Sequence, residues 1–185
     1  MSSYLDQLKE ANYILSGKNK LYNFEEWKNN EQPLLFIAGL SGAGKSTLGE
    51  KISQKYKAEY ISLDVIDNKF RNQMIKKHTE YSVIDPKIMD LAAANMKKVF
   101  EKLERTKKKT VIEGIQILFY PNKKYFKNKA VIILGLSVLT SSIRAYIRDR
   151  RNYGHEDSMV DTITDIYTKQ KNFTKHLKNF EKIMG

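Results

Sequence analysis

The residues Gly39-Leu40-Ser41-Gly42-Ala43-Gly44-Lys45-Ser46, followed by Thr47, satisfy the pattern G-x-x-x-x-G-K-[ST]. Glycines at that spacing let successive backbone N–H groups turn inward, and a helix beginning at Lys45 adds the positive end of its dipole, so the segment is suited to cradling a polyphosphate. In such a loop Lys45 reaches the β- and γ-phosphates and Ser46 ligates Mg²⁺, which makes ATP and Mg²⁺ the expected cofactors. A glycine-rich turn with an exposed lysine is the plainer alternative, and it requires four constrained positions to coincide.

The loop binds a nucleoside triphosphate without saying what receives the phosphoryl group, so other residues must supply that chemistry. Asp64 falls at the end of a second apolar segment, where ligands of open α/β sheets gather, and a carboxylate there could take the proton of an attacking hydroxyl. Asp67 is its rival, and both could simply be helix-start carboxylates favoured by the dipole. Glu113 ends a further apolar run. Burying it uncompensated would be costly, which points to a metal or a basic partner beside it. Arg144, Arg148 and Arg151 recur at spacings of four and three, on one helical face, and could clamp a transferring phosphoryl group.

These residues need a scaffold that brings them to one edge. Leu34 to Ala38 is a continuous apolar run suited to a central parallel strand, and after the loop Leu48, Ile52 and Tyr56 recur at helical spacing. Tyr60 to Leu63, Thr110 to Ile115 and Ala130 to Leu136 read as further strands. Asp85-Pro86 is a cap and first-turn pair opening a helix that runs on to about Leu103. Residues 140–152 read as helix, Tyr153-Gly154-His155 breaks it, and Val160 to Phe180 forms a long C-terminal helix. The pattern predicts a three-layer α/β fold with a central parallel sheet of four to five strands, helices on both faces and a helical lid at about 140–156. Residues 1–32, with a short amphipathic helix over Tyr4 to Ser16, read as an N-terminal helical extension to a domain spanning 33–185.

Composition narrows the partners. With 185 residues, 41% hydrophobic and 29% charged, the chain has the make-up of one ordinary globular domain. No apolar run is long enough to cross a bilayer, and Asp6, Lys9 and Glu10 interrupt the N-terminus, so a cytoplasmic, membrane-free location is expected. The absence of cysteine excludes disulfides and thiolate metal sites, and His78, His155 and His176 are scattered. The net charge of +12 admits a nucleic-acid partner, but the lysines are spread along the chain with no arginine-rich tract, so that partner is not favoured. Oligomeric state is left open.

The motif set resembles the uridine kinase and phosphoribulokinase group of P-loop kinases. The phosphate loop matches at Gly39, Gly44, Lys45 and Ser46; Ser62-Leu63-Asp64 resembles the group's serine-x-aspartate, and Glu113-Gly114-Ile115 its glutamate-glycine-isoleucine. Arg144-Ala145-Tyr146-Ile147-Arg148-Asp149 looks like the group's lid, and the likeness runs from about Leu34 to His155. It departs at Ala145, Tyr153 and Ile66, and no fifth apolar strand follows the lid, so the usual five-stranded core is expected to be abbreviated. Toxin-type sugar-nucleotide kinases and polynucleotide 5′-kinases share this skeleton. The resemblance implies an ATP- and Mg²⁺-dependent kinase acting on a hydroxyl of a small metabolite, most simply a nucleoside or sugar-like compound, with Asp64 as base or substrate ligand. A nucleic-acid end kinase and an ATPase whose acceptor is water are the competing readings; no Asn-Lys-x-Asp segment favours guanine.

Overall fold

The computed structural model describes residues 19–78, 85–120, 123–153 and 159–184. Five strands, β1 (Lys20–Tyr22), β2 (Leu34–Gly39), β3 (Glu59–Ser62), β4 (Thr110–Glu113) and β5 (Ala130–Leu134), form one sheet in the order β1-β5-β2-β4-β3. The three inner strands are buried at every position, as their unbroken apolar runs require of strands covered on both faces. β2 pairs in parallel with β4 and with β5, setting Leu35 opposite Val111 and Phe36 opposite Val131. β3 adds in parallel to β4, with Ser62 opposite Glu113.

Alternation along β2 sends its side chains to two layers. Leu34, Phe36 and Ala38 face a cluster with Phe100 of α4 (Pro86–Glu104), Ile117 of α5 (Gln116–Phe119), Phe126 and Phe180 of α7 (Met159–Met184). Leu35 and Ile37 face Leu48 and Ile52 of α2 (Lys45–Tyr56) and Trp27 of α1 (Phe24–Lys28). The remaining helices are α3 (Leu63–Lys77), which follows β3 without a loop, and α6 (Val138–Tyr153), which packs on α7. As expected, α4 opens on an Asp85 cap, the carboxylate accepting from the Lys87 N–H at 2.8 Å, with Pro86 in its first turn.

The sheet departs from the sequence reading at its outer edge. A fifth strand is present, but β1 supplies it from the N-terminal side, antiparallel to β5 with Tyr22 opposite Val131. Three residues, one of them an exposed lysine, leave no periodic signal. An edge position asks only for backbone pairing on one side. The described part of the N-terminal segment is thus built into the domain: Trp27 is fully buried, donates from Nε1 to the Pro33 carbonyl at 3.1 Å and meets Tyr56 edge-on at 5.4 Å. Trp27→Ala is expected to cost about 3–5 kcal/mol of stability, read as a lower urea midpoint at unchanged slope. The helix expected over Tyr4 to Ser16 and the break at Gly154-His155 lie outside the described residues. Among those residues no helix is long and apolar enough to cross a membrane.

Candidate functional site

β2 ends at Gly39 and the chain turns through residues 40–44 into α2, whose N-cap is Gly44. The helices α3 and α4 have side-chain caps. α2 has none, and no acidic residue stands in its first turn, so its leading N–H groups remain available to an anion. Gly42 sits at φ 76° beneath α6, where a Cβ would come within 2.6 Å of the Ser141 carbonyl oxygen. Backbone conformation and close approach both demand glycine there. The loop carbonyls are used as well: Lys45 Nζ donates to Leu40 O at 3.1 Å, and Gln170 of α7 donates from Nε2 to Ser41 O at 2.9 Å.

Lys45 is buried, whereas Ser46 and Thr47 are exposed at the loop's mouth. Burial lowers the Lys45 ammonium from its ordinary value, Asp64 and Glu113 raise it in part, and Arg148 lowers it further. Asp64 on α3, Glu113 on β4 and Arg148 on α6, all singled out by sequence, therefore lie within electrostatic reach of Lys45 on α2. Asp64 is partly buried in the first turn of α3, two residues beyond the end of β3. Ser62 caps that helix, its hydroxyl accepting from the Val65 N–H at 3.4 Å. Asp67 is held differently, its Oδ2 accepting from Arg71 Nε at 2.9 Å within the same helix.

Glu113 closes β4 and is completely buried. Its carboxyl is pushed up chiefly by that burial and also by the Asp64 charge, while the neighbouring Ser62 and Tyr60 hydroxyls and the Lys45 charge oppose the rise. Oε1 accepts from the Tyr60 hydroxyl at 3.2 Å, and Oε2 is buried without a hydrogen-bond partner. That orphaned oxygen, with the Ser46 hydroxyl exposed on the loop, fits a divalent cation of the magnesium type, which keeps much of its water shell. No cluster of three His, Asp or Glu side chains forms a separate metal cage among the described residues.

Arg144 and Arg148 are exposed on α6 and, with Ile147 and Arg151, line a pocket of 340 Å³. The Cβ of Arg144 lies 3.3 Å from where a Gly42 Cβ would sit, so the arginine face begins directly beside the loop. A second pocket, of 280 Å³, lies between Asn30, Pro33 and Lys109 at the other end of the strands, and Lys109 there is committed to Lys28 O and Asn30 Oδ1. Tyr60 and Gln170 are the polar residues at the loop that sequence reasoning missed. By sequence Tyr60 is only the first residue of a strand and Gln170 one position in a long C-terminal helix; a buried glutamine at one helical position carries no spacing signal.

The segment 34–114 matches a family described as AAA domain. A 49-residue stretch is 43% identical to the molybdopterin-guanine dinucleotide biosynthesis adapter protein of Haemophilus influenzae, over 26% of this chain and 28% of that protein, so the chain spans less than a third of that relative. Among solved structures, a shikimate kinase from Acinetobacter baumannii in complex with shikimate aligns with a TM-score of 0.51 at 16% identity, over 80% of this chain and 81% of the other. A gluconokinase from Sinorhizobium meliloti 1021 aligns with a TM-score of 0.47 at 18% identity, over 75% and 73%. A glycine-rich loop joining the middle strand to an uncapped helix, within a sheet that aligns with that of the shikimate kinase, gives the chain the P-loop NTPase fold.

Proposed function

We propose that this chain is an ATP- and Mg²⁺-dependent phosphotransferase that moves the γ-phosphoryl group to a hydroxyl of a small metabolite, with a nucleoside or sugar-like acceptor as the first candidate. The observation that carries it is that Asp64, Glu113 and Arg148, from three different elements, all come within electrostatic reach of the buried loop lysine, Lys45. Backbone N–H groups of residues 39–47 hold the polyphosphate, with Lys45 against its β- and γ-oxygens. Asp64 accepts the proton of the acceptor hydroxyl as its oxygen bonds to the γ-phosphorus and the bond to the β-phosphate oxygen breaks, releasing ADP. Arg144 and Arg148 approach from α6 and offset charge on the transferring group. Ser46, and Glu113 through water, are the residues that would hold Mg²⁺, which when bound would supply positive charge to offset that of the phosphates.

Asp64 is preferred over Asp67 on physical grounds. Asp67 is already paired with Arg71, while Asp64 has no such pair among the described contacts and faces Lys45 and Glu113. The test is a screen with γ-labelled ATP and Mg²⁺ against nucleosides, sugars, hydroxy acids and single-stranded oligonucleotides. Label transfer to a small hydroxyl compound is the expected result. Transfer only to oligonucleotide ends, or rapid phosphate release that no acceptor alters, would replace this assignment.

A further inference from the structure

We infer that Gln170 is a positioning residue for nucleotide binding: from α7 it pins the Ser41-Gly42 turn of the phosphate loop in the conformation that leaves the Gly42 N–H open to a phosphate oxygen. This deepens the reading above of residues 39–47 as the polyphosphate cradle and rests on it. Gln170 is 1% exposed, and its Nε2 donates to Ser41 O at 2.9 Å, linking positions 129 apart in the chain. The Ser41 carbonyl and the Gly42 N–H belong to one trans peptide plane and point in opposite directions. Holding the carbonyl toward α7 therefore turns the N–H away from it, and that N–H has no acceptor among the described residues. A flipped peptide would offer the carbonyl oxygen there instead, and it would repel a phosphate oxygen.

The amide is a poor choice for packing alone. Gln170 Oε1 is buried without a hydrogen-bond partner among the described residues, a cost that an apolar side chain at this position of α7 would avoid. The group that accounts for the amide is its nitrogen, since of the two amide atoms only the nitrogen can face a carbonyl. The rest of the turn is braced by α6. An added Cβ on Gly42 would lie 2.6 Å from Ser141 O and 3.1 Å from Ala145 N, so the loop rests on the helix backbone. The Ser141 and Ser142 hydroxyls fold back onto Val138 O at 3.0 and 2.7 Å, which keeps those side chains compact on α6. Thus α6 limits where Gly42 can sit, and Gln170 sets which way its peptide faces. The preceding carbonyl, Leu40 O, is held instead by the Ala43 N–H at 3.2 Å and by Lys45 Nζ at 3.1 Å. Lys45 turns to the phosphates when ATP binds, whereas the uncharged Gln170 keeps its bond in both states.

The test measures ATP affinity of the full chain by calorimetry, with thermal melts alongside, for the parent, Gln170→Met, Gln170→Glu and Leu177→Val. Gln170→Met keeps the length of the side chain and removes the donor, and ATP affinity should fall by about 3- to 10-fold, the scale of one hydrogen bond. Leu177→Val, two turns further along α7 and buried in the core, should lower the melting temperature and leave ATP affinity unchanged. Gln170→Glu adds a pH profile. A carboxyl buried there titrates above its ordinary range; protonated, it can donate to Ser41 O, and ionised it cannot. Its ATP affinity should match the parent's at acid pH and fall below that of Gln170→Met at alkaline pH, while Gln170→Met stays in constant ratio to the parent. Gln170→Asn, one methylene shorter, withdraws the same donor and decides the matter if Gln170→Met does not fold. Parental affinity in Gln170→Met would overturn the inference, as would losses that follow the melting temperature in every variant, Leu177→Val included; the kinase reading survives either result. A parent that binds no ATP removes that reading, and this inference with it.

Discussion

Asp64→Asn should lower phosphorylation of the acceptor by about 10²- to 10⁴-fold and leave ATP affinity near that of the parent. The substitution is nearly isosteric, and Asn, like Asp, is tolerated in a first helical turn capped by Ser62, so the local fold should hold. What is lost is a proton acceptor at the start of α3. Two electrostatic consequences for ATP binding oppose one another: without the Asp64 charge Lys45 is less strongly held in its charged form, while Glu113 is relieved of a repulsion that pushes it up. Separate measurements of kcat with saturating acceptor and of ATP affinity distinguish chemistry from binding. Should Asp64→Asn turn over normally while Asp67→Asn fails, the base is Asp67 and the Arg71 pair must open in the working complex.

Much of this arrangement was legible in the residues because burial on both faces and the glycine pattern each leave strong marks. β2 has no polar position, and the loop after it needs glycine at Gly42, where an added Cβ would strike α6. Glu113 was legible for the same reason: a carboxylate ending an otherwise apolar strand stands out, and it is fully buried. Other parts depend on contacts that spacing does not encode. Asp64 and Asp67 share one helix and look equivalent until Arg71, one turn further on, is seen to occupy the second. β1 is too short and too polar for any period to show, since its place follows from the free edge that β5 offers. The bonds of Gln170 to Ser41 and Tyr60 to Glu113 join residues 129 and 53 positions apart, and each involves a side chain unremarkable in its own segment.

Lys45→Met should cut ATP-dependent turnover by about 10²- to 10³-fold, the scale on which one charge-stabilising group acts in a water-excluded site. Its effect on the protein without nucleotide should be much smaller, because the parent lysine is itself in an unfavourable position there. It is buried, and its pairing is partial: one carbonyl bond to Leu40, with Asp64 and Glu113 acting in its favour and Arg148 against. The sign of the pH dependence follows. Since folding lowers the Lys45 pKa, the folded chain binds fewer protons than the unfolded chain between the lowered value and the ordinary lysine value of 10.5, and stability attributable to this group rises with pH across that window. ATP affinity moves the other way. A polyphosphate favours the charged lysine, so affinity is complete while Lys45 is protonated and declines as pH rises through the lowered value, sooner than an exposed lysine would allow. Calorimetric titration of ATP across neutral to alkaline pH should show that decline in the parent together with proton uptake on binding, and Lys45→Met should show neither. If Lys45→Met kept the parent's kcat/KM, the segment from Gly39 to Thr47 would not be gripping the transferred phosphate, and the assignments of Ser46, Asp64 and Glu113 would lose the anchor that places them around it.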